Sequence, residues 1–237
     1  MSSEFARIAG TSPDIAFQYI RKYKTLEKAL DAFYSETGRV PRFKAPVSAV
    51  NFFEFLSKGK EEISGDNLMN LFDLAETDSM DPVWLAFACE CGSKTMGIFT
   101  KDEWLTGVSN MGLIDSATNL KIVLKKTKEK FADLEFSKKV YKFSFHYSLD
   151  AGTRNLQKTD AFALWDVLLK PRAWKLYDAW IMFVQDHVNH AISKDLWYMV
   201  WDLAHTVKSD LSDFDESAAW PVAIDEFVDT TKKLILS

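Results

Sequence analysis

The side chains of this sequence that could take part in chemistry are few, and a histidine pair is the most suggestive. His187 and His190 stand three residues apart in a segment predicted to be one helix, with Asp186 beside them. Imidazole and carboxylate groups at this spacing could supply part of a metal site. Because the spacing defines no third ligand, a role at a helix end or on the surface is favoured.

The two cysteines, Cys89 and Cys91, lie two residues apart within a helical pattern. This spacing points them to different faces of a helix, so a structural disulfide is not expected. Zinc would need further ligands, and no second Cys or His pair has the spacing of a zinc finger. Both cysteines are therefore predicted to be small, buried or half-buried side chains.

Motifs of self-contained catalysts are missing from the sequence. It has no Gly-rich phosphate loop, no Gly-x-Ser-x-Gly elbow and no His-Glu-x-x-His motif. A helical enzyme, derived from EF-hands or dependent on a metal, is kept as the alternative class of function. No cofactor is predicted.

Two loops are candidates for calcium, because the elements around them resemble paired EF-hands. Calcium requires several carboxylate or carbonyl oxygens in a 12-residue loop, with glycine at the sharp turn. When Ile98 is taken as the central apolar position, Met96 stands where glycine is needed. The first ligand positions are Cys91, Ser93 and Thr95 in that loop, and Leu56, Lys58 and Lys60 in the loop centred on Ile63. Neither loop is predicted to bind calcium.

Composition excludes several classes of protein. The chain has 237 residues, 29 basic and 34 acidic side chains, a formal charge of −5 and 47% hydrophobic residues. The chain has no excess of basic residues, so nucleic-acid binding is not predicted. No apolar run of about 18 residues and no signal-like amino terminus occur, so neither membrane spanning nor secretion is expected. We expect a cytoplasmic or nuclear protein.

Helices must position all of these side chains. Only 9 Gly and 6 Pro interrupt the chain, and no strand-like alternation appears, so the predicted fold class is all-α. Residues 1–36 are predicted to form three short helices, with Ser12-Pro13 and Thr25 at the starts of the second and third. Residues 37–47 have the composition of a linker, and residues 48–237 form a larger helical domain.

The first half of the larger domain repeats a helix–loop–helix unit. One unit has helices over 50–57 and 65–75, and the other has helices over 84–91 and 101–111. Thr100 and Glu103 form a capping box for the last of these. Five lysines between 121 and 130 are interpreted as the solvated face of the next helix.

Aromatic residues at helical spacing fill the second half and are predicted to form its core. They are Tyr141, Phe143, Phe145, Tyr147, Phe162, Trp165, Trp174, Tyr177, Trp180, Phe183, Trp197 and Trp201.

The last apolar run predicts a final helix that starts at Pro221, since proline suits the first helical position. Asp225 and Asp229, four residues apart, share an exposed face that meets water or a partner. The residues expected on the buried stripe are Val222, Ile224, Phe227 and Val228.

The sequence around this helix resembles that of a known family. Residues 215–228 read Asp-Glu-x-x-Ala-Trp-Pro-Val-x-Ile-Asp-Glu-Phe-Val, which resembles the C-terminal signature of the defective-in-cullin-neddylation family, also called the DCUN1 or PONY domain. Residues 192–197 stand at the family's spacing upstream. Residues 5–34 resemble the ubiquitin-associated domain that many members carry.

The resemblance implies a scaffold-type ligase without a catalytic residue of its own. Such a protein would bind a cullin C-terminal domain and the neddylation conjugating enzyme together, alongside a cullin-associated RING protein, and raise the rate by positioning them. The family's cullin contact falls here on Asp195, Ala219 and Asp225. Asp195 would also stabilise the dipole of its own helix.

A second implied site is a pocket for the acetylated amino-terminal methionine of the conjugating enzyme. This sequence departs from the family at Cys91 and Tyr147, where Phe is usual, and at Trp84, where a smaller aliphatic residue is usual. For most of the nine aligned residues, packing in the core is an equally good explanation. Because the aligned wall has no carboxylate, it is expected to prefer the acetylated amine over the charged one. The aligned residues are Trp84, Leu85, Ala88, Cys91, Met96, Phe99, Tyr147, Leu164 and Val167.

In ubiquitin-associated domains, the loop after the first helix and the end of the third contact ubiquitin. These positions fall on Ile8, Ala9 and Gly10 and on Phe33 and Tyr34, although the loop lacks the usual Met-Gly-Phe. Two interpretations stay open: binding of ubiquitin or a ubiquitin-like modifier, and packing on the larger domain.

Overall fold

The computed structural model describes residues 1–9, 11–37 and 45–235. Within these ranges nearly all regular structure is helical, and a single pair of two-residue strands is present. The all-α prediction is confirmed. None of the helices in the described part is long and apolar enough to cross a membrane.

The chain separates into two compact units, Met1–Pro46 and Val47–Ser237. The first unit holds three helices around a small core whose largest members are Phe5 and Phe33. Its second helix begins as the sequence predicts, because the Ser12 hydroxyl accepts a hydrogen bond from the Ile15 N–H and Pro13 takes the first position. The helices are α1 (Ser2–Ala9), α2 (Pro13–Tyr23) and α3 (Leu26–Thr37).

The first half of the second unit consists of two helix–loop–helix elements joined through their loops. The two strands pair antiparallel, with Glu62 opposite Thr100 and Ile63 opposite Phe99. The predicted capping box is present: Thr100 and Glu103 each accept a hydrogen bond from the other's backbone N–H. The elements are α4 (Val47–Ser57), β1 (Glu62–Ile63), α5 (Asp66–Ala75), α6 (Val83–Cys91), β2 (Phe99–Thr100) and α7 (Lys101–Met111).

The second half of the second unit contains six helices. Five of them surround an aromatic core, whereas the first, Ala117–Glu129, packs its buried side chains into the core of the first half. Tyr141 stacks on Trp197 with ring centroids 4.4 Å apart, and Trp165 stacks on the same indole at 5.4 Å. The Tyr141 hydroxyl donates to the Trp197 carbonyl and accepts from the Trp165 indole N–H, each at 2.8 Å. The helices are α8 (Ala117–Glu129), α9 (Leu134–Tyr147), α10 (Lys158–Leu168), α11 (Tyr177–His187), α12 (Lys194–Thr206) and α13 (Val222–Ile235), with 3₁₀ turns at Lys130–Ala132 and Lys170–Arg172.

Ten of the twelve aromatic residues assigned to the core are buried, which confirms the interpretation of that pattern. Phe143 and Phe162 differ and are half-buried at its edge. The buried rings join helices that are far apart in the sequence, so this half is held by contacts between its elements.

The histidine pair does not lie on one helix. Helix α11 ends at His187, whose Nδ1 lies 3.2 Å from the Phe183 carbonyl and whose ring stacks on that phenyl ring. His190 follows after the helix has ended. Across the described ranges, no three His, Cys, Asp or Glu side chains come together in a way that could hold a metal ion.

Candidate functional site

The loop before α13 contains Ala219 and is stabilised by contacts among its own residues. The Asp215 carboxylate accepts hydrogen bonds from the backbone N–H and the hydroxyl of Ser217, at 2.9 and 2.6 Å. The Trp220 indole N–H donates to the Asp215 carbonyl at 3.0 Å, and its ring stacks on Phe214. These two contacts hold the Trp220 side chain in place. Its neighbour Ala219 is exposed at the surface.

The first turn of α13 presents an unexpected apolar side chain. Val222 is 70% exposed, whereas Ile224, Phe227 and Val228 are buried as predicted. The assignment of Val222 to the buried stripe was wrong. At 100° per residue, position 222 lies over positions 225 and 229, which face away from the core.

Asp225 lies among other negative charges on this outward face. Burial raises the pKa of the Asp225 carboxyl, and repulsion from Asp229 and Glu216 raises it further. Lys232 offsets part of this charge through an ion pair with Glu216 at 2.8 Å. We call the group of Glu216, Ala219, Val222, Asp225 and Asp229 the α13 acidic face; Asp225 is half-buried, and the other four residues are exposed.

Asp195 lies in the first turn of α12. This helix begins at Ser193, whose hydroxyl accepts a hydrogen bond from the Leu196 N–H at 3.2 Å. Asp195 is exposed, where it also stabilises the positive end of its own helix. Helices α12 and α13 pack against each other, but Asp195 is not among the charges that act on Asp225. Sequence reasoning missed Glu216, which does act on it.

A cavity of about 780 Å³ lies between the two halves of the second unit. Seven of the nine predicted pocket residues line it: Trp84, Leu85, Met96, Phe99, Tyr147, Leu164 and Val167. They come from α6, the loop before β2, and the helices α9 and α10. We call this space the first cavity.

Two large side chains shape the first cavity. The Trp84 indole N–H donates to the Asp78 carbonyl at 3.1 Å, and its ring lies 4.7 Å from that of Phe72. The Tyr147 hydroxyl accepts a hydrogen bond from the Gly97 N–H at 3.3 Å. Burial raises the pKa of Tyr147 to about 12, so the phenol stays neutral. The other aligned residues that line the cavity, such as Leu85, Leu164 and Val167, are apolar.

Ala88 and Cys91 do not line the first cavity. Both are 1% exposed, and they face the core on the side of α6 that packs against α7. The Cys91 sulfur lies in the space that a side chain at Gly107 would occupy. Burial raises the pKa of the Cys91 thiol well above its usual value, so a thiolate is not formed there.

The lining of the first cavity also includes three carboxylates that the aligned wall lacked: Asp81, Asp150 and Asp160. Asp81 accepts a hydrogen bond from the Val83 N–H and is ion-paired with Lys128, whereas Asp150 is exposed. The aligned residues themselves include no carboxylate, so these three charges come from parts of the lining that the alignment did not name. Helical spacing could have indicated Asp160, one turn before Leu164, but nothing local in the sequence indicates the other two.

The candidate ubiquitin-contact residues fall mainly inside the first unit. Ala9 and Phe33 are 8% and 2% exposed, and Phe33 packs edge-on against Phe5 and Tyr19. Tyr34 is half-buried. Gly10 and the side chain of Ile8 lie outside the described part of the chain. Binding of ubiquitin stays a prediction.

Comparison with known proteins places these features in a family. The sequence profile described as "Cullin binding" matches residues 119–230, which include Asp195 and the α13 acidic face. The chain is similar to "Defective in cullin neddylation protein 1" of Cryptococcus neoformans var. neoformans serotype D, with 31% identity over 98% of this chain and 92% of that protein.

Animal relatives match over a shorter region. "DCN1-like protein 5" of Homo sapiens is 30% identical over 76% of this chain and 75% of its own length. "DCN1-like protein 4" of Drosophila melanogaster is 30% identical over 75% of this chain and 71% of its own length. The chain belongs to the family of defective in cullin neddylation, or DCN1-like, proteins.

Proposed function

We propose that this protein promotes cullin neddylation as a non-catalytic scaffold. It binds a cullin C-terminal domain through Asp195 and the α13 acidic face, and it binds the acetylated amino terminus of the neddylation conjugating enzyme in the first cavity. Holding two reactants together replaces an encounter in solution with a local one, which raises the rate without a reacting side chain.

The observation that carries the cullin contact is the α13 acidic face, which lies within the region matched by the cullin-binding profile. It combines three carboxylates with an exposed alanine and an exposed valine. An apolar centre with a charged rim is the usual anatomy of a protein interface. A basic partner surface would be steered to it and would relieve the repulsion that acts on Asp225.

The first test is the variant Ala219→Arg, measured as affinity for an isolated cullin C-terminal domain. We expect binding to be lost, since a long cation would meet the partner's cations where the interface needs a small side chain. The matched control is Ala132→Arg, an exposed alanine in the 3₁₀ turn Lys130–Ala132. Wild-type affinity in a folded Ala219→Arg protein would refute the contact.

The second test concerns the first cavity. A free terminal amine is charged and strongly hydrated, so placing it beside Trp84 and Leu164 costs more than placing an acetyl amide there. We expect the acetylated methionine peptide of the conjugating enzyme to bind more tightly than the unacetylated peptide. Burying a methionine side chain contributes about 1.5–3 kcal/mol, so the affinity is modest and gains from the cullin contact.

The cavity carboxylates make this second test sharper. Asp150 could partly neutralise a free amine, so Asp150→Asn should weaken the unacetylated peptide and leave the acetylated peptide unchanged. Leu164→Gln, in the apolar wall, should weaken both peptides. Equal affinities of the two peptides for the wild-type protein would show that the cavity does not select the acetyl group.

A further inference from the structure

A second cavity, of about 390 Å³, lies on the other side of α10 from the first. Val167 lines both cavities, but the other predicted pocket residues do not line the second. Its size is within the range of small-molecule sites. The residues that matter for its chemistry are Phe131, Val167, Arg172, Trp174, Ala204 and His205.

Arg172 supplies a cation that the described residues leave without an anion. Its Nη2 donates to the Phe131 carbonyl at 3.0 Å and to the Ser137 hydroxyl, and its guanidinium lies 5.3 Å above the Trp201 ring. Burial lowers the pKa of Arg172, and no carboxylate in the described part of the chain offsets that effect. A partly desolvated guanidinium with unused N–H donors favours a carboxylate that can accept two of them.

His205 also lines this cavity. Its Nδ1 lies 2.8 Å from the Trp201 carbonyl, so this nitrogen carries the hydrogen and Nε2 is left as the acceptor. Nε2 is buried, and no donor among the described residues reaches it. Because this nitrogen has almost no accessible surface, the imidazole contributes to the wall of the cavity and its Nε2 is not a contact point for a ligand.

Aromatic and aliphatic surface completes the cavity. Trp174 is buried at its edge, Phe131 is half-buried, and Val167 separates it from the first cavity. Lys128 adds positive charge, although it is already paired with Asp81 at 2.5 Å. Such a lining favours a ring or short chain over a fully hydrated ion, because apolar surface is buried on binding.

We propose that the second cavity binds a small aromatic acid, with the carboxylate on Arg172 and the ring beside Trp174 and Phe131. The site is independent of the proposed scaffold function. Arg172 and His205 lie outside both the α13 acidic face and the first cavity.

The test uses 4-hydroxyphenylacetate as the probe and the full chain as the protein. An NMR titration follows the Trp174 indole N–H, and we expect saturable binding with a dissociation constant on the order of 1 mM for so small a ligand. Tyrosol, which has the same ring and hydroxyl but no carboxylate, should bind at least about tenfold more weakly.

Two variants assign the binding to this cavity. Arg172→Met removes the charge, and Ala204→Leu fills the space without touching the guanidinium; each should weaken the acid at least about tenfold. Arg154→Met is the matched control, because Arg154 is an exposed arginine outside the cavity. If Arg172→Met fails to fold, Ala204→Leu alone decides whether this cavity holds the acid.

Three results would overturn the proposal: no saturable binding up to about 10 mM probe, equal affinities for the acid and for tyrosol, or a folded Ala204→Leu protein that binds like the wild type. Acetylated methionine peptide at saturation should leave the affinity for the acid unchanged. Loss of peptide binding with the acid still bound would refute the peptide site alone.

Discussion

Asp225 is the residue of the α13 acidic face whose pKa is changed by its surroundings. Its carboxylate is half-buried beside Asp229 and Glu216, and burial together with their repulsion raises its pKa above the ordinary value. A raised carboxyl pKa means that the charged form is disfavoured in the free protein, so the fold gains from protonation as pH falls. The charged form of this carboxylate therefore costs the free protein some stability, and the proposed basic partner would offset that cost.

We predict that affinity for the cullin domain decreases as pH falls through the raised pKa of Asp225. A basic partner stabilises the carboxylate and lowers its pKa in the complex, so binding releases a proton in the window between the two pKa values. Calorimetry in buffers of different ionisation enthalpy, from pH 7.5 down to the lowest pH at which both proteins stay folded, measures both effects. The matched comparison is Asp229→Asn, which removes one repelling charge and should shift the decrease to lower pH. A constant affinity over this range would contradict the prediction.

Other single residues show what local patterns can and cannot predict. Helical phase placed Ile224 and Phe227 correctly, because burial repeats with the helical period. The same pattern failed at Val222, since a one-residue apolar signal in a first turn does not show whether a neighbour covers it. The placement of Cys91 in the pocket wall does not match the lining of the first cavity for a related reason. The alignment of this residue to a pocket carried no information about which face of α6 meets α7.

At the scale of elements, the packing of α6 against α7 depends on a glycine. A Cβ placed on Gly107 would overlap the Cys91 sulfur and come within 3.1 Å of the end of Met111. The methionine can move, because it is the flexible end of a side chain, but Cys91 is 1% exposed and held by the core. The glycine and the cysteine therefore form a matched pair.

We predict that Gly107→Ala lowers the free energy of unfolding by about 1–3 kcal/mol through overpacking, less the roughly 0.5–1 kcal/mol that alanine contributes in a helix. In a Cys91→Ala background the same substitution should be neutral or stabilising, since the sulfur is gone. Urea unfolding of the four proteins of this double-mutant cycle measures the coupling.

The control for this cycle is Cys89→Ala. Cys89 is half-buried, whereas Cys91 is the cysteine that meets Gly107. Gly107→Ala should stay destabilising in that background. Equal effects of Gly107→Ala in the Cys89→Ala and Cys91→Ala backgrounds would show that the glycine is needed for another reason.

The positions at which helices begin were the features most easily predicted from the sequence. Ser12-Pro13 and the pair Thr100 and Glu103 make the hydrogen bonds that their types and spacing predict, because a capping interaction involves only residues within one turn. The end of α11 was less readable. Its pattern continues to His190, but the helix stops at His187, and no glycine marks the stop.

The first cavity could not have been predicted from local sequence. Its walls come from α6, α9 and α10, and the Gly97 to Tyr147 hydrogen bond joins residues 50 positions apart. Spacing along one helix does not report which segments meet in space, so the resemblance to a family supplied seven of its wall residues. Asp81 and Asp150 lie on connecting segments, where helical phase gives no direction.

At the scale of the whole molecule, the division at Pro46 and Val47 separates two sets of buried contacts. Among the residues that the structure describes, the members of the small core around Phe5 and Phe33 belong to the first unit. The described members of the cores that contain the Trp165–Trp197 stack and Trp104 belong to the second unit. The α13 acidic face and both cavities also lie within the second unit.

We predict that residues 47–237 alone fold and bind both the cullin domain and the acetylated methionine peptide with affinities within about twofold of the full chain. The physical reason is that none of the described residues before Val47 is a member of either core of the second unit. Residues 1–46 alone should be marginally stable, because so short a chain buries little apolar surface. Calorimetric titration and thermal unfolding of both fragments check these expectations. A tenfold or greater loss of cullin affinity in the folded 47–237 fragment would show that the first unit takes part in binding, and the scaffold would then have to be described as an assembly of both units.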